Sequence, residues 1–193
     1  TALTNGDTKS KTTMMYLLIG LLIPALFVVS KELMNNTIRD AKDVEKNSSF
    51  PMIGTIKHTN SSDPVLAAKN PRSSFTEMFR VIRTRVEFIV QRKKNIAILT
   101  TSAESGDGKT YFSTNLASVY ALTGMKTILI DMDIRKPSIN DRLGITETLG
   151  VTDFLIGEKP LEEIILQKEG INYDILLAGT VPPNPGELIR SEK

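Results

Sequence analysis

The chain has 193 residues, no cysteine, no tryptophan, one histidine, 40% apolar residues, 24% charged residues and a net charge of +2. That balance suits one domain of ordinary size plus an appendage and excludes disordered, collagenous and disulfide-built chains. Without thiols there is no zinc finger, iron–sulfur cluster or cysteine nucleophile, and the one histidine cannot supply a multi-histidine metal site; a hydrolytic triad would rest entirely on His58, which lies in a polar stretch, and is discounted.

Between Lys11 and Lys31 lie nineteen consecutive uncharged residues, centred on MMYLLIGLLIPALFVV from Met14 to Val29. As a helix the stretch is roughly 28 Å long, close to the roughly 30 Å hydrocarbon core of a bilayer. A membrane helix tolerates Pro24, and no small-residue cleavage site of the signal-peptide kind follows. Residues 14–30 are therefore read as a transmembrane helix and residues 1–13 as its juxtamembrane, periplasmic flank. Lys9 and Lys11 precede the span while Lys31, Arg39, Lys42 and Lys46 follow it, a bias that places the C-terminal side in the cytoplasm.

Residues 31–70 read as a cytoplasmic linker, with NNT, NSS and NSSDP clusters around one apolar island, Phe50 to Ile56. His58 is solvated in this reading. From 71 onward the pattern becomes that of a folded domain. Phe75, Met78, Phe79, Ile82, Val86 and Ile89 recur at the spacing of an amphipathic helix over 75–90. Glu77, Arg80 and Arg83 share one charged flank of it, and a solvated face with an i,i+3 ion pair accounts for them without any function. From Lys69 to Lys94 there are eight basic and two acidic residues, a local charge of +6 that leaves −4 on the rest of the chain. Such a patch could meet nucleic acid, an anionic membrane or an acidic face on a partner.

Asn95 to Thr101, NIAILTT, predicts a buried strand. The run from Ala103 to Thr110, AESGDGKT, follows at once, with a helix predicted over 111–122. An [AG]-x-x-x-x-G-K-[ST] loop between a strand and a helix is a phosphate loop. Gly106 and Gly108 let backbone N–H groups turn inward as an anion nest, and the helix N-terminus adds partial positive charge. Lys109 brings a full charge to the β and γ phosphates and the Thr110 hydroxyl can ligate Mg²⁺. Asp107 and Tyr111 complete the stretch 106–111 expected to hold the nucleotide.

Thr127 to Asp131, TILID, predicts a second strand and runs into MDIRKP. Asp131 and Asp133 then stand just past its carboxyl end, where an open parallel sheet builds its ligand crevice. One carboxylate there can hold Mg²⁺, directly or through water, and the other can orient or deprotonate an attacking hydroxyl. Tyr173 to Ala178 predicts a further strand, after which Pro182, Pro183 and Pro185 break the strand and start a helix.

These residues resemble the bacterial tyrosine kinases that regulate capsular and exopolysaccharide polymerisation, relatives of the MinD and ParA ATPases. The resemblance rests on the phosphate loop and on an apolar run ending in D-x-D-x-R, met by Ile128, Leu129, Ile130, Asp131, Asp133 and Arg135 and followed by Pro137. It extends to E-x-x-R-x-x-R at Glu77, Arg80 and Arg83, and to G-x-x-P-P-N-P-x-E-L from Gly179 to Leu188. MinD-like proteins carry a signature lysine where this chain has Glu104, which favours the kinase over the partitioning ATPase.

The resemblance implies an α/β P-loop fold with a parallel sheet and flanking helices, incomplete and preceded by one transmembrane helix. It implies Lys109 on the phosphates, Thr110 and Asp133 at Mg²⁺, Asp131 activating the acceptor tyrosine, and Glu77, Arg80 and Arg83 between subunits of a ring-shaped homo-oligomer. The cofactors implied are ATP and Mg²⁺. The partners are further copies of the chain, phosphorylated in trans, together with the polysaccharide export machinery and the membrane, with no nucleic acid. The location implied is the bacterial inner membrane with the kinase domain in the cytoplasm. An ATPase switch of the MinD and ParA type and an ATP-sensing co-polymerase are the rival readings.

The chain opens on Thr1, and Glu187 to Lys193 looks like the start of a helix, so it reads as an excerpt with 71–193 as the first part of the kinase domain. A further acidic strand motif and a tyrosine cluster are expected beyond Lys193. Tyr16, Tyr111, Tyr120 and Tyr173 are scattered, and none is a convincing phosphate acceptor. Residues 1–193 alone are accordingly expected to show little kinase activity.

Overall fold

The computed structural model describes residues 4–34, 41–91, 93 and 95–190. Arg39, Arg92, Lys94 and the last residues of the expected terminal helix lie outside the described residues. The chain divides into two compact units, Thr1–Met52 and Ile53–Lys193.

The first unit is built on α1 (Thr4–Leu33), followed by the short α2 (Ala41–Asn47). Within α1 the stretch Ser10–Leu33 is long and apolar enough to cross a membrane, with a mean hydropathy of 2.2. Its apolar side chains, among them Leu17, Leu21 and Phe27, are all exposed. A helix that is apolar on every side and covered by nothing of its own unit is suited to lipid rather than water. Pro24 sits inside the helix without ending it.

The second unit runs α3 (Leu66–Lys69), α4 (Ser74–Ile89), α5 (Lys109–Ala121), β1 (Ile128–Ile130), α6 (Ile139–Leu143), α7 (Val151–Leu155), α8 (Leu161–Ile164), β2 (Ile165–Leu166), β3 (Asp174–Leu176) and α9 (Pro185–Leu188). It begins with Ile53 and Ile56, which pack on α4 and so draw part of the apolar island into the domain. A Cβ on Gly54 would lie 2.6 Å from Ile82 Cγ1, which is how closely this strap lies on the helix. His58 is exposed, in keeping with a solvated residue.

Helix α4 starts at Ser73, whose hydroxyl accepts from Thr76 N at 3.2 Å as an N-cap. Its apolar face, Phe75, Phe79 and Ile82, meets Leu116, Val119 and Tyr120 of α5. The rings interlock, with Phe75–Phe79 centroids 5.1 Å apart and Phe79–Phe112 centroids 5.7 Å apart. The opposite side of α5 rests on the sheet through Ala117, against Leu129, Ile175 and Leu177.

The sheet has three strands in the order β1-β3-β2. β1 and β3 are parallel, with Leu129 opposite Ile175, and Asp131 N continues the ladder to Leu176 O at 2.9 Å. The two-residue β2 is antiparallel to β3, so the parallel pair carries an antiparallel edge. Side chains alternate across β3: Ile175 faces the α5 side and Leu176 the side of Val151 and Ile164. Residues Gly150 to Thr152 dock on the carboxyl end of β3 through Val151 N to Leu177 O at 2.8 Å and Thr152 N to Ala178 O at 3.0 Å.

One expected element is absent as a strand. Residues 95–101 are unpaired among the described residues, with Leu99 84% exposed. β-branched, apolar composition prepares a segment for a sheet, but a strand exists only through a neighbour that accepts its ladder. Ile96 alone of this run packs against the α4–α5 core.

A buried amide ties the strap before α3 to α5. Asn115 is 0% exposed; its Oδ1 accepts from Ala67 N at 2.8 Å, and its Nδ2 donates to Pro64 O at 3.0 Å and Tyr111 O at 2.8 Å. Asn115→Ala is expected to lower stability by about 1–3 kcal/mol, because it leaves Ala67 N without this acceptor and removes one of two donors to Pro64 O. The urea midpoint of the detergent-solubilised chain checks this, and an unchanged midpoint would contradict it.

Candidate functional site

The loop between residue 102 and α5 is held by its own side chains. Asp107 Oδ2 accepts from Glu104 N at 3.0 Å and Ser102 Oγ donates to Glu104 O at 2.8 Å. Gly106 and Gly108 take φ values of +96° and +91°, conformations that side-chain-bearing residues rarely adopt, and open space surrounds both α-carbons. Gly108 is the N-cap of α5. The N–H groups of the helix's first turn, from Lys109 to Tyr111, have no intrahelical acceptor and face the loop.

Lys109 arches over this loop, its Nζ donating to Ser102 Oγ at 2.7 Å and to Glu104 O at 3.0 Å. Both partners are neutral oxygens. Among the described residues no carboxylate forms an ion pair with Lys109, so its charge is held at the loop and remains available to an anion. Tyr111 differs from its neighbours: its ring packs edge-on against Phe75 with centroids 5.8 Å apart, so that only its backbone serves the loop. Burial, with the Asp63 charge second, holds its phenol above the ordinary tyrosine range.

The acidic turn lies opposite. Asp131 is 6% exposed and accepts from Asp133 N at 3.0 Å and, through its other oxygen, from Ile139 N at 3.4 Å. Burial raises its proton affinity above that of an ordinary aspartate, while these N–H donors pull in the opposite direction. Asp133 is exposed and its Oδ1 accepts from Lys136 N at 3.1 Å. The turn thus presents one buried carboxylate and one solvent-facing carboxylate.

Loop and turn touch. Thr110 Oγ1, in the first turn of α5, lies 3.0 Å from Ser138 Oγ, just past the acidic turn. The first turn of α5 and the segment after the acidic turn are thus in hydrogen-bond contact, with α5 lying on β1. Ser138 belongs to no motif. Its sequence signal is modest, a serine after Pro137 and before the apolar start of a short helix.

This donor set fits a magnesium nucleotide. Among the described residues no three acidic or histidine side chains cluster as a metal cage. Mg²⁺ does not need one, since it is commonly held by one or two protein oxygens together with substrate phosphates and water. Thr110 and Asp133 can supply such oxygens, and the open nest at Gly106 and Gly108 leaves room for phosphate.

The three residues on α4 do not stay together as one exposed flank. Glu77 and Arg80 form an ion pair on the surface. Arg83 turns inward: it donates to Val119 O at 3.1 Å and lies 3.2 Å from Glu87 Oε1. It thus serves a carbonyl in the last turn of α5, where a cation is favoured. Tyr120 and Tyr173 are buried, while Tyr16 lies exposed on the membrane-length helix.

No family model matches the chain. It is similar to the tyrosine-protein kinase YwqD of Bacillus subtilis (strain 168), at 36% identity over 128 residues, 66% of this chain and 54% of that protein. It is also similar to a putative tyrosine-protein kinase in the cps region of Klebsiella pneumoniae, at 34% identity over 191 residues, 90% of this chain and 26% of that protein. Among solved structures it resembles the kinase domain of the Escherichia coli tyrosine kinase ETK, with a TM-score of 0.70 at 27% identity, over 79% of this chain and 64% of that one. The chain thus spans from about a quarter to about half of the length of these two relatives.

The glycines of the unit separate by mechanism. Gly108→Ala meets no neighbour and is expected to cost about 1–2 kcal/mol of backbone strain. Gly150→Ala drives a methyl group into the Leu177 carbonyl and the Gly179 backbone and is expected to cost about 3 kcal/mol. Urea midpoints of the two variants should fall in that order, and the reverse order would contradict the packing described.

Proposed function

We propose, because the chain belongs to the bacterial tyrosine-kinase family, that it works as part of a membrane-anchored protein-tyrosine autokinase. The γ-phosphoryl group of MgATP passes to a tyrosine hydroxyl: the phenol oxygen bonds to phosphorus, the bond to the β–γ bridging oxygen breaks, and ADP leaves. The single observation that supports this reading is the 3.0 Å contact between Thr110 and Ser138, which joins the first turn of α5 to the segment after the acidic turn.

The chain's own residues divide the work. Backbone N–H groups from Gly106 to Tyr111 hold the phosphate oxygens, and Lys109 supplies charge that no carboxylate neutralises. To reach a phosphate, Lys109 gives up its bonds to Ser102 and Glu104, two neutral acceptors that are left able to bond water. Thr110 and Asp133 would hold Mg²⁺, which would offset charge on the phosphate oxygens. Asp131, whose burial raises its proton affinity, accepts the phenolic proton. Positioning and charge neutralisation account for the catalysis, since little covalent chemistry falls to the protein.

On the same reading α1 spans the bacterial inner membrane with the second unit in the cytoplasm. Glu77 and Arg80 meet a neighbouring copy in a ring while Arg83 supports the helix that presents them. Phosphorylation passes between copies, and the polysaccharide export machinery is the partner regulated. The basic patch serves these protein contacts rather than nucleic acid.

Lys109→Met in the full-length protein is expected to lower phosphotyrosine formation about 100-fold or more with membrane insertion intact. Anti-phosphotyrosine detection after incubation with MgATP reads the outcome. Retained phosphotyrosine would overturn the assignment, and release of free phosphate without phosphotyrosine in the unaltered protein would place it with the ATPase switches instead.

A further inference from the structure

Ser138 stands at the N-cap of α6, where a serine ordinarily turns its hydroxyl onto the first-turn N–H groups of its own helix. Here it makes no such bond. The buried carboxylate of Asp131 has taken over that task, accepting from Ile139 N. The Ser138 hydroxyl is thereby released from its local duty and lies 3.0 Å from Thr110 Oγ1, 28 residues away in the chain.

Thr110 is equally short of other partners. One turn later on the same helix, Thr114 satisfies its hydroxyl with two carbonyls, Pro64 O at 2.6 Å and Tyr111 O at 3.1 Å. Among the described residues Thr110 Oγ1 has only Ser138. A hydroxyl that offers a lone pair to a cation directs its proton away from that cation, and the proton needs an acceptor on the far side. Partners behind a metal ligand typically change metal affinity 10- to 100-fold.

We infer that Ser138 is a positioning residue for the magnesium site: its Oγ accepts the Thr110 proton and so aims the Thr110 lone pair into the crevice. This rests on the nucleotide-site reading above. Asp131 then acts at two points, through its own carboxylate and through the hydroxyl that it frees by capping α6 in Ser138's place.

The test is binding of a fluorescent N-methylanthraniloyl-ADP to the detergent-solubilised full-length protein, titrated with Mg²⁺ or measured in EDTA. Ser138→Ala is expected to leave affinity in EDTA within twofold of the unaltered protein and to raise the Mg²⁺ concentration for half-maximal binding about tenfold. Ser138→Thr restores the Mg²⁺ response and Ser138→Val, of the same shape without the hydroxyl, does not. An unchanged Mg²⁺ response in both Ser138→Ala and Ser138→Val, or equal losses with and without Mg²⁺, overturns the inference. Lys109→Met is the separate control: if it binds the nucleotide as well as the unaltered protein, the nucleotide-site reading itself fails, whatever Ser138 does.

Discussion

Burial of α5 is the constraint on which the rest of the second unit depends. Every residue from Thr114 to Tyr120 is buried, which requires that the helix meet α4 on one side and the sheet on the other. A helix enclosed in this way must find internal partners for its polar side chains. Thr114 and Asn115 do so on the strap at Pro64, and Ser118 on the carbonyl of Thr114. Sliding or turning α5 would break the bonds of Thr114 and Asn115 to the strap together. Its first turn is consequently set against the end of β1, and the Gly108–Lys109–Thr110 junction inherits that setting without contributing to the core itself.

Much of this architecture is legible in the sequence because the relevant signals are local. The spacing from Phe75 to Ile89 yields α4 almost to the residue, and the loop with its glycines announces both its own conformation and the helix that follows. The parallel strands are likewise visible in their apolar runs. What is not legible depends on a partner distant in sequence. NIAILTT has the composition of a strand, yet pairing is a property of two segments, and no neighbour among the described residues completes it. Arg83 looks like its neighbour Arg80 along the helix, and only the nearness of the Val119 carbonyl turns it inward. Ser138 is silent for the same reason, since its importance lies in a contact 28 residues back.

The electrostatics of the crevice follow from how the acidic turn is folded. Asp131 and Asp133 are chemically identical and two residues apart, but one carboxylate points into protein and caps α6 while the other points to solvent. Burial costs the charged form more than the neutral one, and backbone donors return part of that cost. The inner carboxylate is therefore held above the ordinary aspartate range by its burial, while the outer one remains in contact with water. Lys109 stands opposite them, held by neutral oxygens. On the proposed reading, a phosphate held by the loop would meet positive charge at Lys109 and would need a cation toward the acidic turn.

The tyrosines bring this arrangement to a definite demand. Among the described residues the buried hydroxyls of Tyr111 and Tyr120 have no hydrogen-bond partner, the Tyr173 hydroxyl lies by Ser118, and burial raises all three phenols above their ordinary range. Such groups pack the core and keep their protons; they cannot swing into a crevice without dismantling the contacts between α4, α5 and the sheet. Tyr16 sits in a helix suited to lipid. A kinase site of the proposed kind must then receive a phenol presented from outside these residues. On the proposed reading, the solvent-exposed side at Asp133 is the one from which a second polypeptide segment would bring its hydroxyl toward a phosphate on the loop.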